Sequence, residues 1–310
     1  MSAAASAPGR LARAWDSDVA WSFRHSPVAV VSGFAVLVCF VGAFGCGILA
    51  PHDPFNLASL SLSNSFLPPV PLKGSSWSFV FGTDDQGRDV LSAIMYGTRI
   101  SLIVGFAAIA MALSLGIAMG LLAGYFGGVT DAVLMRAADV QLSFPSLLIA
   151  LLVDGIVRAL LPRGAQNALE LYVLIFAIGI ARWPQFARTV RGSTLVERGR
   201  EYVMAARVIG IGPVRIMTSH ILPNVLGPVL VLATINLGLA ILDEATLSFL
   251  GLGLPPTQPS LGTLISNGNN FLYSGDWWIT VFPGIVLAGM VLAINLLGDW
   301  LRDALNPRLR

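Results

Sequence analysis

Long apolar runs separated by short polar connections dominate the chain. A membrane-spanning helix needs about 20 predominantly apolar residues. The six predicted spans lie at 28–50, 100–125, 133–157, 169–186, 227–250 and 277–300. The pattern therefore predicts an all-α integral membrane protein with six transmembrane helices.

Two of these spans need a further argument. The run at 28–50 competes with a cleaved signal peptide, but the apolar region of a signal peptide has only about 7–15 residues. The run at 133–157 contains Phe144-Pro145. A proline inside a span predicts a kink, which is tolerated where neighbouring helices satisfy the freed carbonyl group. We therefore keep both runs as spans.

The runs divide the chain into four parts. Residues 1–27 form a polar, partly basic N-terminal segment, and 28–50 is the first helix. Residues 51–99 form a loop rich in Pro, Ser and Asn, and Asp89 is expected to cap the helix that leads into the next span. Residues 100–310 hold the other five spans.

A row of small residues marks one face of the second span. Gly116, Gly120 and Gly124 are four residues apart, so they share a helix face. Rows of this kind allow the backbone of another helix to approach closely. We therefore predict that these glycines are a helix-packing site.

Composition strengthens the membrane assignment and excludes other classes. Hydrophobic residues make up 55% of the chain and charged residues only 12%, whereas soluble domains are about a quarter charged. The net charge of +2 is too small to indicate nucleic-acid binding. Two cysteines, in one apolar run, and three scattered histidines lack metal-ligand spacing, so no metal site is predicted.

The distribution of basic residues predicts the orientation. With six spans both termini share a side, and that side carries most of the 19 Lys and Arg residues. By the positive-inside rule this is the cytoplasmic side. The residues on it are Arg10, Arg13, Arg24, Arg136, Arg182, Arg188, Arg191, Arg198, Arg200, Arg207, Arg215, Arg302, Arg308 and Arg310. The opposite side has Lys73, Arg88, Arg99, Arg158 and Arg163. The loop at 51–99 is then extracytoplasmic.

No catalytic motif is present in the sequence. The only lysine, Lys73, lies in an outer loop, so the chain lacks the lysine-bearing loop that nucleotide-binding proteins use to hold phosphates. Two acids, Asp243 and Glu244, lie inside the fifth span, where a carboxylate is costly unless it is paired or hydrated. They are candidates for lining a translocation path. The alternative is a structural role, in which they bond to a neighbouring helix or reach water near the outer end.

The segment at 201–224, EYVMAARVIGIGPVRIMTSHILPN, interrupts the apolar second half of the chain. Gly210 stands where a helix would stop, and Pro213 suits the first turn of the next helix. Pro223 marks a second expected break. The pattern predicts a helix–turn–helix on the cytoplasmic side, or alternatively a basic amphipathic segment that lies on lipid headgroups.

This segment resembles the EAA loop of ABC-importer permeases. Ala205, Ala206, Gly210, Leu222 and Pro223 are in register with it. Met204 and His220 depart from the general pattern, but EYVxAARxxG…HILPN is similar to the form in oligopeptide/dipeptide-type permeases. The stretches FGTDDQGRDVLSAIMYGTRISL, LSFPSLLIAL, DEATLSFLGLGLPP and NLLGDWLRDALNPR agree, and together they look most like the C-type subunit.

The resemblance implies a type I ABC importer permease fold, with a coupling loop at 187–224 that docks on an ATPase. The coupling residues would be Glu201, Ala205, Ala206, Arg207, Gly210, Pro213, Leu222 and Pro223. It also implies a heterodimer with a second permease, two ATP-binding subunits and an extracytoplasmic substrate-binding protein, in the plasma membrane of a prokaryote. The chain would be no enzyme and hold no cofactor, since its partners would bind ATP and Mg²⁺.

The substrate implied by the resemblance is a di- or oligopeptide. The alternative within the same architecture is a nickel chelate or another small solute. A self-sufficient secondary transporter or channel is the alternative from a different class. It predicts inverted repeats and broken helices around a midplane site, and we find no repeat in the sequence.

Overall fold

The computed structural model describes residues 18–55, 60–254 and 258–304. Arg10, Arg13, Arg308 and Arg310, which enter the charge count, lie outside these residues. The described helices are α1 Asp18–His25, α2 Pro27–Phe44, α3 Cys46–Leu49, α4 Val90–Phe126, α5 Gly128–Leu142, α6 Ser146–Leu160, α7 Arg163–Glu197, α8 Glu201–Val208, α9 Pro213–Arg215, α10 Leu222–Leu247, α11 Leu261–Asn269 and α12 Trp278–Ala304. π-Helical stretches lie at Ile216–Ile221 and Ser248–Leu252.

Five of the described helical segments are long and apolar enough to cross a membrane. They are Pro27–Phe44, Val90–Phe126, Leu169–Glu197, Pro213–Leu252 and Trp278–Ala304. A sixth crossing requires α5 and α6 together, and these two helices meet at an angle of 97°. The prediction of an all-helical membrane protein is confirmed.

The third span predicted at 133–157 with a kink at Phe144-Pro145 is two separate helices, and the bend between them is a sharp 97°. The α5 helix ends at Leu142, and Ser143 folds its N–H back onto the Asp139 carbonyl oxygen at 3.1 Å. Pro145 then has an extended backbone and precedes α6. Proline also disfavours a helical conformation at the residue before it. Each helix has 15 residues, or about 22 Å, which is too short to cross a core of about 30 Å alone.

Several predicted boundaries move, some inward and some outward. The first span ends at Phe44, where Gly45 separates α2 from α3. The α4 helix begins at Val90, so the preceding loop ends at residue 89 rather than 99. Asp89 caps α4 as predicted, because its carboxylate accepts a hydrogen bond of 3.0 Å from the Ser92 N–H.

The α7 helix is also longer than the apolar run that predicted it. It begins at Arg163, six residues before the predicted start of the span at residue 169, and it continues to Glu197. Residues 187–197 of the predicted coupling loop therefore belong to the end of α7. In the orientation predicted from the basic residues, this end points to the cytoplasm. The row of glycines on α4 packs against residues 183–194, which include the polar part of this helix.

Pro223 was predicted to interrupt the helix, but the helix continues through it. The π-helical stretch Ile216–Ile221 leads directly into α10, with Pro223 in the first turn. Proline lacks an N–H and clashes with the carbonyl group four residues earlier in a regular α-helix. The wider π-helical turn, in which the Leu222 N–H reaches the Met217 carbonyl oxygen, relieves this conflict. The fifth span consequently starts near Pro213 rather than at residue 227.

The α4–α7 contact is the most extensive part of the described core, and the glycine row lies in it. Gly116, Gly120 and Gly124 are all buried against α7. A Cβ atom added to Gly120 would lie 2.6 Å from the Ala187 carbonyl oxygen, and one added to Gly124 would lie 2.6 Å from the Thr194 Cβ. The two backbones are close enough that a side chain at these positions has no space.

A side chain from α5 bonds to the carbonyl group that a proline leaves without a partner in α7. Pro184 lies inside α7 and lacks the N–H that would bond to the Ile180 carbonyl group. The Gln141 Nε2 atom donates to that carbonyl oxygen at 2.6 Å and to the Ala181 carbonyl oxygen at 3.2 Å. The Gln141 Oε1 atom in turn accepts from the Trp183 Nε1 atom at 3.0 Å.

Candidate coupling site and intramembrane polar contacts

The α8 helix follows α7 after a turn of three residues, 198–200, and presents two different faces. Val203 and Ala206 are buried against the rest of the chain. On the outer side Met204 is half-exposed, while Val208 is 88% exposed and Ile209 is 77% exposed. This tip is apolar and has no cover within the described chain, which suits a protein partner better than water.

The turn after α8 has the geometry expected of a helix stop. Gly210 has a φ of +84°, in the left-handed region that favours glycine. The Ile211 N–H bonds to the Ala206 carbonyl oxygen at 3.0 Å, and the Gly210 N–H bonds to the Arg207 carbonyl oxygen at 3.0 Å. This pair of bonds is a Schellman motif. Pro213 then occupies the first turn of α9, so the turn is confined to 209–212.

A polar cluster joins α8 to the ends of α7 and α10. The Tyr202 hydroxyl donates to the Glu197 Oε2 atom at 2.6 Å and accepts from the Asn224 Nδ2 atom at 3.2 Å. Asn224 also donates to the His220 carbonyl oxygen at 2.8 Å. Burial and the Glu197 carboxylate raise the pKa of Tyr202, so the phenol remains a donor at neutral pH.

Sequence analysis missed this cluster. Glu197 and Tyr202 are five residues apart across a turn, which is not a spacing that places side chains together on one helix. Asn224 is 22 residues beyond Tyr202. No periodic signal connects the three residues.

Two arginines fasten the same region to the end of α4. The Arg207 guanidinium lies over the Tyr125 ring, 4.9 Å from its centroid, at a distance that permits a cation–π interaction. The Arg198 Nη1 atom donates to the Gly124 carbonyl oxygen at 2.9 Å. Arg198 thus satisfies one of the carbonyl groups that a helix end leaves without a partner.

The eight predicted coupling residues do not share one surface. Ala206 is buried and Leu222 is half-buried, so both hold the element together rather than face a partner. The other six, Glu201, Ala205, Arg207, Gly210, Pro213 and Pro223, are exposed. The structure adds Val208 and Ile209 to the outward surface, although the EAA pattern does not single them out.

Asp243 forms an ion pair with Arg182 between α7 and α10. The Asp243 Oδ2 atom accepts from the Arg182 Nη2 atom at 2.6 Å and from the Nε atom at 3.0 Å. The Arg182 Nη1 atom also donates to the Asn236 Oδ1 atom at 3.1 Å. Arg182 is buried in this pair, so it does not add to an exposed basic surface, and its place on the cytoplasmic side stays a prediction. A charge count along the chain does not detect a partner on another helix.

Glu244 is fully buried among hydroxyl groups. Its carboxylate accepts from the Ser101 Oγ atom at 2.7 Å and from the Ser248 Oγ atom at 2.8 Å. Ser101 also accepts from the Leu261 N–H at 3.3 Å, which joins α4, α10 and α11. Asp243 and Glu244 thus make the helix contacts that the structural alternative expected, and their role in a translocation path stays a prediction.

Arg158 forms a third polar junction. Its guanidinium pairs with Asp154 at 2.7 Å and with Glu170, and it donates to the Leu252 carbonyl oxygen at 2.7 Å. These contacts tie α6 and α7 to the end of the π-helical stretch that follows α10. In the predicted orientation this junction lies on the extracytoplasmic side.

Comparison with known proteins agrees with this architecture. The model of a family described as binding-protein-dependent transport system inner membrane component matches residues 116–310. The dipeptide transport system permease protein DppC of Haemophilus influenzae is 38% identical over 288 residues, covering 93% of each chain. The protein of the same name from Escherichia coli is 40% identical over 289 residues, covering 93% of this chain and 91% of its own.

A solved structure supports the fold. An inward-facing structure of the MetNI methionine ABC transporter aligns with a TM-score of 0.53 at 19% identity, covering 69% of this chain and 96% of its own. At this identity the likeness concerns the fold alone. The whole-length relatives and the family match together establish that the chain belongs to the family of binding-protein-dependent transport system inner membrane components.

Proposed function

We propose that this chain is the C-type permease subunit of an ATP-driven importer of di- and oligopeptides, in which it lines the path together with a second permease. The observation that carries the proposal is that relatives named dipeptide permeases align over 93% of this chain. The peptide substrate is taken from those names. It is supported by the order in which the family motifs follow one another along the sequence.

Two partner subunits supply the energy. They bind ATP and Mg²⁺, and one of them docks on α8. The exposed apolar tip formed by Val208 and Ile209 supports this role, since apolar surface of this kind is usually covered by a partner. The absence of a phosphate-binding loop in the sequence is consistent with hydrolysis on another chain.

Movement of α8 passes to the spans on either side of it. The α7 helix ends at Glu197, and the segment after Gly210 continues into α10. The α7 helix also contacts α4 through the glycine row, so a push on α8 reaches three spans. ATP-driven closure of the ATPase pair then rocks these helices between inward- and outward-facing states.

The chain lies in a prokaryotic plasma membrane with both termini and α8 on the cytoplasmic side. The loop at 60–89 and the segment at 258–277 then face outward, where an extracytoplasmic binding protein delivers the substrate. The asymmetry of Lys and Arg supports this orientation.

Purification of the complex in a mild detergent tests the assignment. We expect a second permease and two ATP-binding subunits to copurify, and the reconstituted complex to take up a dipeptide in an ATP-dependent manner. Val208→Asp should reduce ATPase binding, because it places a charge on the apolar tip. Leu62→Asp is the matched control, since Leu62 is exposed outside the coupling region.

The outcomes separate the alternatives. Uptake without ATPase subunits would support a secondary transporter and refute the proposal. ATP-dependent uptake of a nickel chelate but of no peptide would retain the ABC architecture and refute the peptide substrate. Equal ATPase binding by the two Asp variants would refute docking on α8.

A further inference from the structure

We propose that Tyr202 is a positioning residue that fixes the orientation of α8 relative to both α7 and α10, so that movement of α8 drives the two spans together. The inference rests on the proposed function of α8 as the coupling element. It assigns the task to one hydroxyl group rather than to the EAA residues.

The α8 helix needs such a support because it is short and lies between two turns. It has eight residues, and isolated helices below about 12–15 residues are marginal in water. Val203 and Ala206 hold one face against the core. These apolar contacts and the Arg207 contact with Tyr125 do not link α8 to the ends of α7 and α10, whereas directional hydrogen bonds to those ends resist rotation of the helix.

The Tyr202 hydroxyl is placed to provide that resistance on both sides. It donates to Glu197, the last residue of α7, and it accepts from Asn224 in the first turn of α10. One oxygen atom thus connects the cytoplasm-directed ends of both flanking spans. Asn224 has a second bond to the His220 carbonyl oxygen, which keeps its amide oriented towards Tyr202.

Loss of this connection should separate hydrolysis from transport. In Tyr202→Phe the ring keeps its packing while the hydroxyl contacts with Glu197 and Asn224 disappear, together with a longer one of 3.4 Å to the His220 carbonyl oxygen. The ATPase can still dock on the apolar tip and hydrolyse ATP, but α8 rotates in place and no longer moves α7 and α10 together. We expect the amount of peptide transported per ATP to fall about ten- to a hundredfold, the scale of one hydrogen bond to a charged group.

The experiment uses the complete complex with its binding protein in proteoliposomes, and it measures ATP hydrolysis and dipeptide uptake in parallel. Tyr172→Phe is the matched control, because Tyr172 is 64% exposed and lies near the opposite end of α7 from Glu197. Glu197→Gln keeps an acceptor for the hydroxyl and should retain most of the coupling. Asn224→Ala removes only the α10 contact and should have an intermediate effect.

Three results would overturn the inference. Tyr202→Phe with the wild-type ratio of uptake to hydrolysis would refute it directly. A proportional fall of both activities, or loss of the ATPase subunits from the complex, would show a structural role instead. A wild-type complex without ATP-dependent uptake would refute the proposed function and this inference with it, whereas the first result would leave the proposed function intact.

Discussion

Replacing Asp243 by Asn removes the negative charge from the ion pair between α7 and α10. The side chains of Arg182 and Asp243 are only 4% and 13% exposed, and their closest atoms are 2.6 Å apart. In the variant, the Arg182 guanidinium stays buried without its anion. It keeps the hydrogen bond to the Asn236 Oδ1 atom and gains a neutral amide oxygen in place of the carboxylate.

The expected cost follows from the asymmetry of buried ion pairs. Breaking such a pair by removing one partner destabilises a protein by about 3–5 kcal/mol, whereas replacing both partners with apolar residues is often neutral. Because Asn retains one acceptor, we expect Asp243→Asn to lower the free energy of unfolding by about 3 kcal/mol. The double variant Arg182→Met with Asp243→Leu should cost much less, about 1 kcal/mol for the acceptor left free on Asn236.

Equilibrium unfolding of the purified chain in bicelles measures these differences. Asp139→Asn provides a matched control, because Asp139 and Arg188 form an exposed pair at 3.5 Å, and exposed pairs contribute about 0–1 kcal/mol. The reasoning is refuted if Asp243→Asn changes stability no more than the control does. It also fails if the double variant is as unstable as the single one.

Three further predictions use the same unfolding and uptake assays. Gly120→Ala should lower the free energy of unfolding by about 1–3 kcal/mol, because the added Cβ meets backbone atoms of α7. Gly192→Ala, where the added Cβ has open space, should leave it unchanged. Equal stabilities of the two variants would refute the packing role. Gly210→Ala should lower the free energy of unfolding by about 1–2 kcal/mol, because Gly210 has a left-handed backbone, and it should lower ATP-dependent uptake. Gly212→Ala should leave both stability and uptake unchanged. Glu244→Gln should lower the free energy of unfolding less than Glu244→Leu, because the leucine leaves two hydroxyl groups without an acceptor. The opposite order would contradict the proposed bonding.

Features with a local cause were predictable from the sequence. The apolar runs located the five long helical segments, because a membrane span can be recognised from its length and composition alone. Asp89 could be identified as a cap, since a capping side chain bonds to its own helix. The helix stop at Gly210 is equally local.

Features that depend on another helix were not predictable. Phe144-Pro145 is compatible with a mild kink or a complete break, and the contacts of Gln141 with α7 belong to the arrangement in which α5 stops. The ion pair of Arg182 was missed because its partner Asp243 is 61 residues away. Tyr202 carried no signal at all, since its partners lie on two different helices.

The bonds of Gln141 have a consequence for the way α7 bends. A proline normally leaves a helix with a weak point that flexes independently of its neighbours. In α7 the weak point at Pro184 is occupied by the Gln141 amide, which contacts the Ile180 and Ala181 carbonyl oxygens on one side and the Trp183 indole on the other. Flexing there pulls on the end of α5 and on the elbow that follows it. We therefore expect bending of α7 at Pro184 to move together with the turn between α5 and α6.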